Sequence, residues 1–317
     1  MNIKFIAAAD NFNFLDNIIE ALPCTEFNTS RYIRRDSHLS GQDVIWFEWM
    51  DGFPIYLMAN CHKLPGTKWI ARLHRYEIYS PRTIQLITEN QNAISIKVDK
   101  FIFVSEYIRQ KAIGLFPWME NSVVLPNLFD HKLFPYSSDR EERAKLNLSI
   151  LFVGRKSYVK NIALLLQFFR ELCLHGDGYD YKLFLVGADG EPEVEDHIKW
   201  FAEKTGLQDV VINSGHHPYK DLWRLMWEMD FIVCTSYIES QGMGIIEGMA
   251  TGLKPLIYNF PGSDVHFLHN WIFDRRDGFI HKIVSGNGLP RLYSDYAIEN
   301  FSIEKNIHRY VDFLKGL

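Results

Sequence analysis

Apolar residues along this chain fall into two alternating patterns. Short runs rich in Val, Ile and Phe give way to stretches where apolar positions recur every three or four residues, the periods of buried strands and of amphipathic helices. In the first half, residues 3–9, 43–49 and 68–77, the run from Asp99 and the run from Ser122 read as strands. Helical spacing appears over 12–22, through Phe14, Ile18, Ile19 and Leu22, and again from Ser105, a plausible N-cap, to Phe116. After a polar, charged stretch over 135–143 the alternation resumes. Strands are predicted at 148–154, 181–187, 210–213, 231–235 and 256–259, with helices over 162–175, 193–205 and 221–229. Strand, helix, strand in this order predicts parallel sheets, and two such sets predict two Rossmann-like domains. The last segment, 303–317, is amphipathic.

One stretch combines these patterns with chemistry. The apolar run 231–235 passes through Gly242 and Gly244 into a short helix that Gly252 closes and Pro255 keeps from continuing. Free backbone N–H groups at a helix start attract anions. Glu239 lies before the turn, and Glu247 is expected in the first helical turn. A phosphate at the amides with hydroxyls at two carboxylates suggests a sugar nucleotide. The plainer alternatives are a favourable charge near a helix N-terminus for Glu247 and a solvated loop acid for Glu239. In the loop from Gly154, Arg155 and Lys160 flank the passage from strand to helix. Arg offers a planar fork to phosphate oxygens and Lys a mobile point charge, although two exposed surface cations are the commoner fate of such residues.

Strand ends in the first half carry Glu48, Arg72, His74 and Glu77, and ligands of parallel sheets bind beyond the carboxyl ends of strands. A lone histidine is more often structural. Arg31, Arg34 and Arg35 form a basic cluster read first as a solvated loop and second as a site for an acceptor phosphate or lipid headgroup.

The length of 317 residues suits two domains, and 47% hydrophobic residues allow a core in each. Basic and acidic residues balance over 1–140, so the formal charge of −5 comes from the rest, and no nucleic-acid partner is expected. Cys24, Cys61, Cys173 and Cys234 make no metal-ligand spacing, and Cys173 and Cys234 sit inside apolar patterns as expected core residues, which points to a reducing compartment. No run reaches the length of a membrane span, and the N-terminus lacks a signal-peptide segment. The expected location is the cytoplasm, with peripheral association at the inner membrane face as an extension. No GxGxxG follows a strand, no GxxxxGK[ST] occurs, and no Asp-x-Asp is present, which disfavours dinucleotide oxidoreductases, P-loop NTPases and metal-dependent glycosyltransferases.

Glu239 and Glu247, with seven residues between them and followed by Gly-Met-Ala-Thr-Gly, resemble the signature of retaining glycosyltransferases of the GT-B fold, family 4. Arg155 and Lys160 match that family's diphosphate-binding cations, and "strand, Ser, helix, then Val-Leu-Pro-Asn" over 99–127 resembles the approach to its interdomain crossing. The resemblance implies an α/β chain with an acceptor domain over 1–140 and a nucleotide-sugar domain over 141–295. It also implies that these two Rossmann-like domains face each other across a cleft and that a C-terminal helix over 296–317 crosses back onto the first. It implies Arg155, Lys160, Glu239 and His74 as catalytic residues. It also implies Gly154, Gly242, Met243, Gly244, Glu247 and His216 as donor-binding residues. Glu48, Arg72 and Glu77 fall on the acceptor side through a narrower branch of the family. No metal and no cofactor besides the nucleotide-diphosphate sugar are implied, and the acceptor is a glycan or a lipid-linked one. The loop 10–14 departs from the family, which has a glycine-rich segment there. Rival readings are a GT-B sugar-nucleotide epimerase and a non-catalytic GT-B partner subunit.

Overall fold

The structure is a computed structural model that describes residues 1–7, 11–32, 39–138, 147–286 and 288–317. Ala8 and Ala9 of the first expected strand, Asp10 of the loop after it, Arg34, Arg35 and the 139–143 part of the expected linker lie outside the described residues. The chain forms two compact units, Met1–Phe129 with Ile303–Leu317, and Asp130–Ser302. The divisions therefore fall after Phe129 and Ser302, rather than after 140 and 295.

The first unit runs β1 (Asn2–Ala7), α1 (Asp16–Ala21), β2 (Asn28–Arg31), β3 (Val44–Glu48), α2 (Gly52–Asn60) and β4 (Lys68–Leu73). It continues through α3 (Arg75–Tyr79), α4 (Pro81–Glu89), α5 (Gln91–Lys97), β5 (Lys100–Phe103), α6 (Glu106–Leu115) and β6 (Ser122–Val124). The strands form one sheet in the order β2-β1-β3-β4-β5-β6, every pair parallel. Side-chain alternation sends Ile45, Phe47, Trp69, Ala71 and Phe101 into the core on one face, and Val44, Trp46, Ile70 and Ile102 into the core on the other. Ser105 caps α6 by accepting from the Ile108 N–H, so its expected capping role is observed.

The second unit runs β7 (Asn147–Val153), α7 (Ile162–Cys173), β8 (Asp180–Val186), α8 (Pro192–Thr205), β9 (Val211–Gly215), α9 (Leu222–Glu228) and β10 (Phe231–Cys234). It ends with α10 (Met243–Ala250), β11 (Lys254–Tyr258), α11 (Ser263–His266), β12 (Ile272–Phe273), α12 (Arg276–Val284) and α13 (Pro290–Phe301). Its sheet order is β12-β11-β10-β7-β8-β9, again wholly parallel. The order reverses between β7 and β10, because β8 and β9 extend from one side of β7 and β10, β11 and β12 from the other. Such a switch point leaves a crevice at the carboxyl ends of the two strands. Pro255 sits near the start of β11, where β12 pairs only with Ile257 and Tyr258, so its missing N–H breaks no ladder on that side.

The final helix, α14 (Ile303–Lys315), belongs to the first unit. Asn306, Tyr310 and Leu314, four residues apart, are its buried stripe, and Tyr310 and Leu314 pack in the core with Trp46 and Ile70. Residues 296–302, expected in this segment, stay in α13 and the second unit, where Ser294 Oγ donates to the Ala250 carbonyl at 2.7 Å. Among the described residues no helix is long and apolar enough to cross a membrane.

Candidate active site

At the switch point of the second sheet, five of the residues singled out from sequence converge, Lys160, Glu239, Gly242, Met243 and Gly244. Gly242 adopts a left-handed conformation (φ 82°) and stands as N-cap of α10, so the chain turns sharply from β10 into the helix. Gly244 and Gly248 let the helix lie close on the sheet. A Cβ at 244 would sit 3.1 Å from the Val153 carbonyl oxygen, and one at 248 would sit 2.9 Å from Ile232. The helix closes with a Schellman motif, the Gly252 N–H on the Met249 carbonyl at 2.8 Å and the Leu253 N–H on the Gly248 carbonyl at 3.1 Å. Met243 and Gly244 thus point first-turn amides, which have no partner within the helix, toward the end of β7.

A cavity of about 30 Å³ opens there, lined by Lys160, Glu239, Gly242, Met243 and Gly244 over the ends of β7 and β10. Lys160 Nζ is in an ion pair with Glu239 Oε1, and Ser236 Oγ donates to the same oxygen at 2.7 Å. Thr235 Oγ1 donates to the Lys160 carbonyl at 3.0 Å, which fastens the β7–α7 loop to the end of β10. The cation and acid assigned separately from sequence are therefore partners, and a ligand reaching either one meets both. Gly154 begins the same loop, its N–H bound to the Val186 carbonyl at 2.9 Å. Arg155, next to it, is exposed and does not line the cavity.

Glu247 lies one turn deeper than expected. With Met243 as the first helical residue it falls in the second turn of α10 and is buried, which also overturns the reading of a charge at the helix start. Its Oε1 accepts from the Tyr219 hydroxyl at 2.7 Å. Burial raises its pKa to about 7, opposed by the hydrogen bond from Tyr219. Tyr219, missed in the sequence, follows the His216-His217-Pro218 turn, and its ring meets Phe134 edge-on at 5.2 Å. His216 is exposed just beyond the end of β9.

In the first unit, Glu48, Arg72 and His74 form one buried network. Glu48 accepts from Trp46 Nε1 at 3.0 Å, from Arg72 Nη1 at 3.2 Å and from His74 Nε2 at 2.7 Å. Arg72 also donates to Asn127 Oδ1, and its guanidinium lies 5.9 Å from the ring centre of Tyr310. Asn127 ends the Val-Leu-Pro-Asn run, which assigns it no part in a site, and Tyr310 carries no signal in the sequence. Burial acts against the Glu48 carboxylate, but the Arg72 charge and the hydrogen bonds from His74 and Trp46 hold its pKa below the ordinary value. Burial lowers that of His74, opposed by its bond to Glu48, so the ring is neutral and stacks on Trp49 at 4.1 Å.

Glu77 does not stand at a strand end. The strand stops at Leu73, and Glu77 is in the first turn of α3, reaching back to the His74 N–H at 3.0 Å and taking the Met50 N–H at 3.1 Å. Burial raises its pKa to about 8 in spite of these bonds. Glu48, Arg72 and Glu77 are each 0% exposed, so none offers an acceptor a surface to touch.

Cys234 is buried, Cys173 packs partly buried against the second core, and all four cysteines are free. No group of three His, Cys, Asp or Glu side chains fit to hold a metal ion occurs among the described residues.

Comparison with known proteins places this geometry. Residues 138–280 match the family model of glycosyl transferases group 1. The α-monoglucosyldiacylglycerol synthase of Streptococcus pneumoniae is 26% identical over 193 residues, 58% of this chain and 42% of that protein. The GDP-mannose:cellobiosyl-diphosphopolyprenol α-mannosyltransferase of Xanthomonas oryzae is 31% identical over 117 residues, 36% of this chain and 29% of that one. The chain thus spans less than half the length of these two relatives. Among solved structures, Anabaena HepE in complex with UDP and glucose superposes with a TM-score of 0.80 at 16% identity, covering 100% of both chains. The chain therefore has the GT-B fold, and its residues 138–280 are similar to the glycosyl transferases group 1 family.

Proposed function

We propose that the protein is a retaining, metal-independent glycosyltransferase that moves a sugar from a nucleotide-diphosphate sugar to a hydroxyl of a lipid-linked or growing glycan. The observation that carries this reading is the convergence of Lys160, Glu239 and the amides of Met243 and Gly244 on one cavity at the switch point of the second sheet. Fixed positive charge and oriented amides stabilise a diphosphate as it takes on the electron pair of the broken sugar bond. Lys160 exchanges Glu239 for phosphate oxygens, and Glu239 turns to the hydroxyls of the transferred sugar. Arg155 adds a second cation from the same loop. Ribose hydroxyls replace Tyr219 on Glu247, and His216 lies toward the base. With cations and amides carrying the leaving charge, the reaction needs no magnesium and no cofactor.

The sugar C1–oxygen bond to the diphosphate breaks while the acceptor oxygen bonds C1 on the same face, and the leaving phosphate takes the acceptor proton. Both relatives are named for α-linked products and for lipids, which supports retention and a lipid-linked acceptor. Such an acceptor puts the enzyme in the cytoplasm against the inner membrane face.

The test is a donor-hydrolysis assay with UDP-glucose and GDP-mannose. The expected result is slow release of UDP or GDP without acceptor, unchanged by EDTA, and lower by roughly a hundredfold or more in Lys160→Ala. Binding of neither donor, or full turnover in Lys160→Ala, overturns the reading; an inverted anomeric proton in the product overturns retention alone.

A further inference from the structure

The β7–α7 loop carries another cation, Lys156, which faces away from the cavity. Its side chain is 0% exposed, and Nζ lies 2.7 Å from Asn213 Oδ1, 2.8 Å from Asp189 Oδ1 and 3.2 Å from Glu195 Oε1. These partners come from three places, the loop after β8, the first turn of α8 and strand β9. Asn213 Nδ2 in turn donates to Glu195 Oε2 at 2.7 Å. The backbone is held at the same point, with the Lys156 N–H on the Ala188 carbonyl at 3.1 Å and the Tyr158 N–H on Glu191 Oε2 at 3.1 Å. Glycines make this contact possible. A Cβ at Gly187 would lie 2.1 Å from the Gly154 carbonyl oxygen, and one at Gly190 would lie 2.0 Å from that of Lys156.

A lysine has high rotamer entropy and a strongly hydrated head, so full burial is tolerated only where fixed partners replace the water. Two carboxylates and an amide oxygen do so here, with Asp189 reaching the ammonium from a largely exposed position. In the loop Arg155 is exposed and its neighbour Lys156 is buried. Holding residue 156 therefore fixes the place from which residue 155 projects.

We propose that Lys156 is a positioning residue, which locks the β7–α7 loop onto the β8–α8 loop and so fixes the place from which the exposed Arg155 reaches a bound diphosphate. This rests on the assignment of Arg155 to the diphosphate above. Loss of Lys156 must then act through Arg155, and a double-mutant cycle isolates that coupling.

The experiment measures the dissociation constants of UDP and of inorganic pyrophosphate by calorimetry on the full chain. The proteins are wild type, Arg155→Ala, Lys156→Met and the double variant. Arg155→Ala is expected to weaken both ligands about 10- to 100-fold, the range of a charge-assisted hydrogen bond. Lys156→Met is expected to weaken them about tenfold, the low end of the loss expected from removing Arg155 itself, and by less than about twofold when Arg155 is already absent. Equal weakening by Lys156→Met in both backgrounds, or none in either, overturns the positioning role while leaving the donor site standing. No effect of Arg155→Ala overturns the assignment of Arg155 and the inference with it. If Lys156→Met does not fold, Asn213→Ala, which removes one of the three partners, replaces it in the same cycle, and the same outcomes support or overturn the proposal.

Discussion

Arg72→Met tests the logic of the first unit most directly, because it deletes one charge from a network that water does not reach. Arg72 and Glu48 are both 0% exposed and stand 3.2 Å apart. At an effective dielectric of ~20, two unit charges at that distance attract by roughly 5 kcal/mol. Methionine keeps the apolar stem and removes the cation, so Glu48 keeps its bonds to Trp46 and His74 without a charge to balance it, and Asn127 loses a donor. Breaking a buried pair from one side costs about 3–5 kcal/mol, and loss of the guanidinium beside the buried Tyr310 ring adds about 2 kcal/mol.

The penalty must depend on pH. Arg72 is one of the causes that keep His74 neutral, and it holds the Glu48 carboxyl ionised. Without it, either group takes a proton more readily, and a proton on either one neutralises the site. The loss is therefore expected to be full near pH 8 and to shrink as the pH falls toward 6. Urea unfolding at both pH values measures it, and hydrogen exchange of β3 and β4 amides localises it. Glu48→Gln combined with Arg72→Met is expected to recover most of the loss. A penalty below about 1 kcal/mol at pH 8, or one that is the same at pH 6, refutes the account of this cluster.

Three further outcomes follow from the geometry. The folded pKa of Glu247, about 7, lies above its ordinary value of 4.5, so the folded state holds its proton longer than the unfolded chain. Stability is then present below pH 4.5 and lost as pH rises toward about 7, by on the order of 3 kcal/mol, and Glu247→Gln flattens that slope in a pH series of thermal midpoints. Gly248→Ala places a Cβ 2.9–3.1 Å from three atoms of Ile232, a β-branched side chain held in β10. It is expected to cost about 1–3 kcal/mol by overpacking, and an unchanged melting temperature contradicts the close approach of α10. Tyr310→Phe removes the hydroxyl that donates to the Pro126 carbonyl at 2.8 Å and leaves a buried acceptor behind. A loss of roughly 1–3 kcal/mol in urea is expected, and none at all means that the α14 contact with that loop contributes nothing.

The strands are legible because fully buried parallel strands write themselves as apolar runs, and their order in two sets points to two parallel sheets. The turn from β10 into α10 is legible for a related reason, since Gly242, Gly244 and Gly252 each answer a backbone demand that leaves little choice of residue. Where structure and expectation part, the decisive contact is local but disguised. His74 starts α3, and Glu77 three residues on is the carboxylate of a capping box, but the usual Ser or Thr is replaced by His, so the run reads as one longer strand. Glu247 falls one turn deeper than expected because α10 begins directly after Gly242 and contains Gly244.

A second kind of information is absent from any local pattern. Lys160 and Glu239 are 79 residues apart, and Arg72 and Asn127 are 55 apart, so each pairing exists only once the sheet order is known. That order has opposite consequences at the two strand ends. At the end of β7 it leaves Lys160 and Glu239 beside a small cavity and a helix start, where a ligand can compete for both. On the first sheet, α14 covers the face that carries Trp46 and Ile70, so Glu48 and Arg72 neutralise each other in the core. Position at the carboxyl end of a parallel strand is therefore not enough to mark a binding residue. What separates the two sets is whether another element closes over the strand end, and the helix that does so for Glu48 and Arg72 is the last one in the chain.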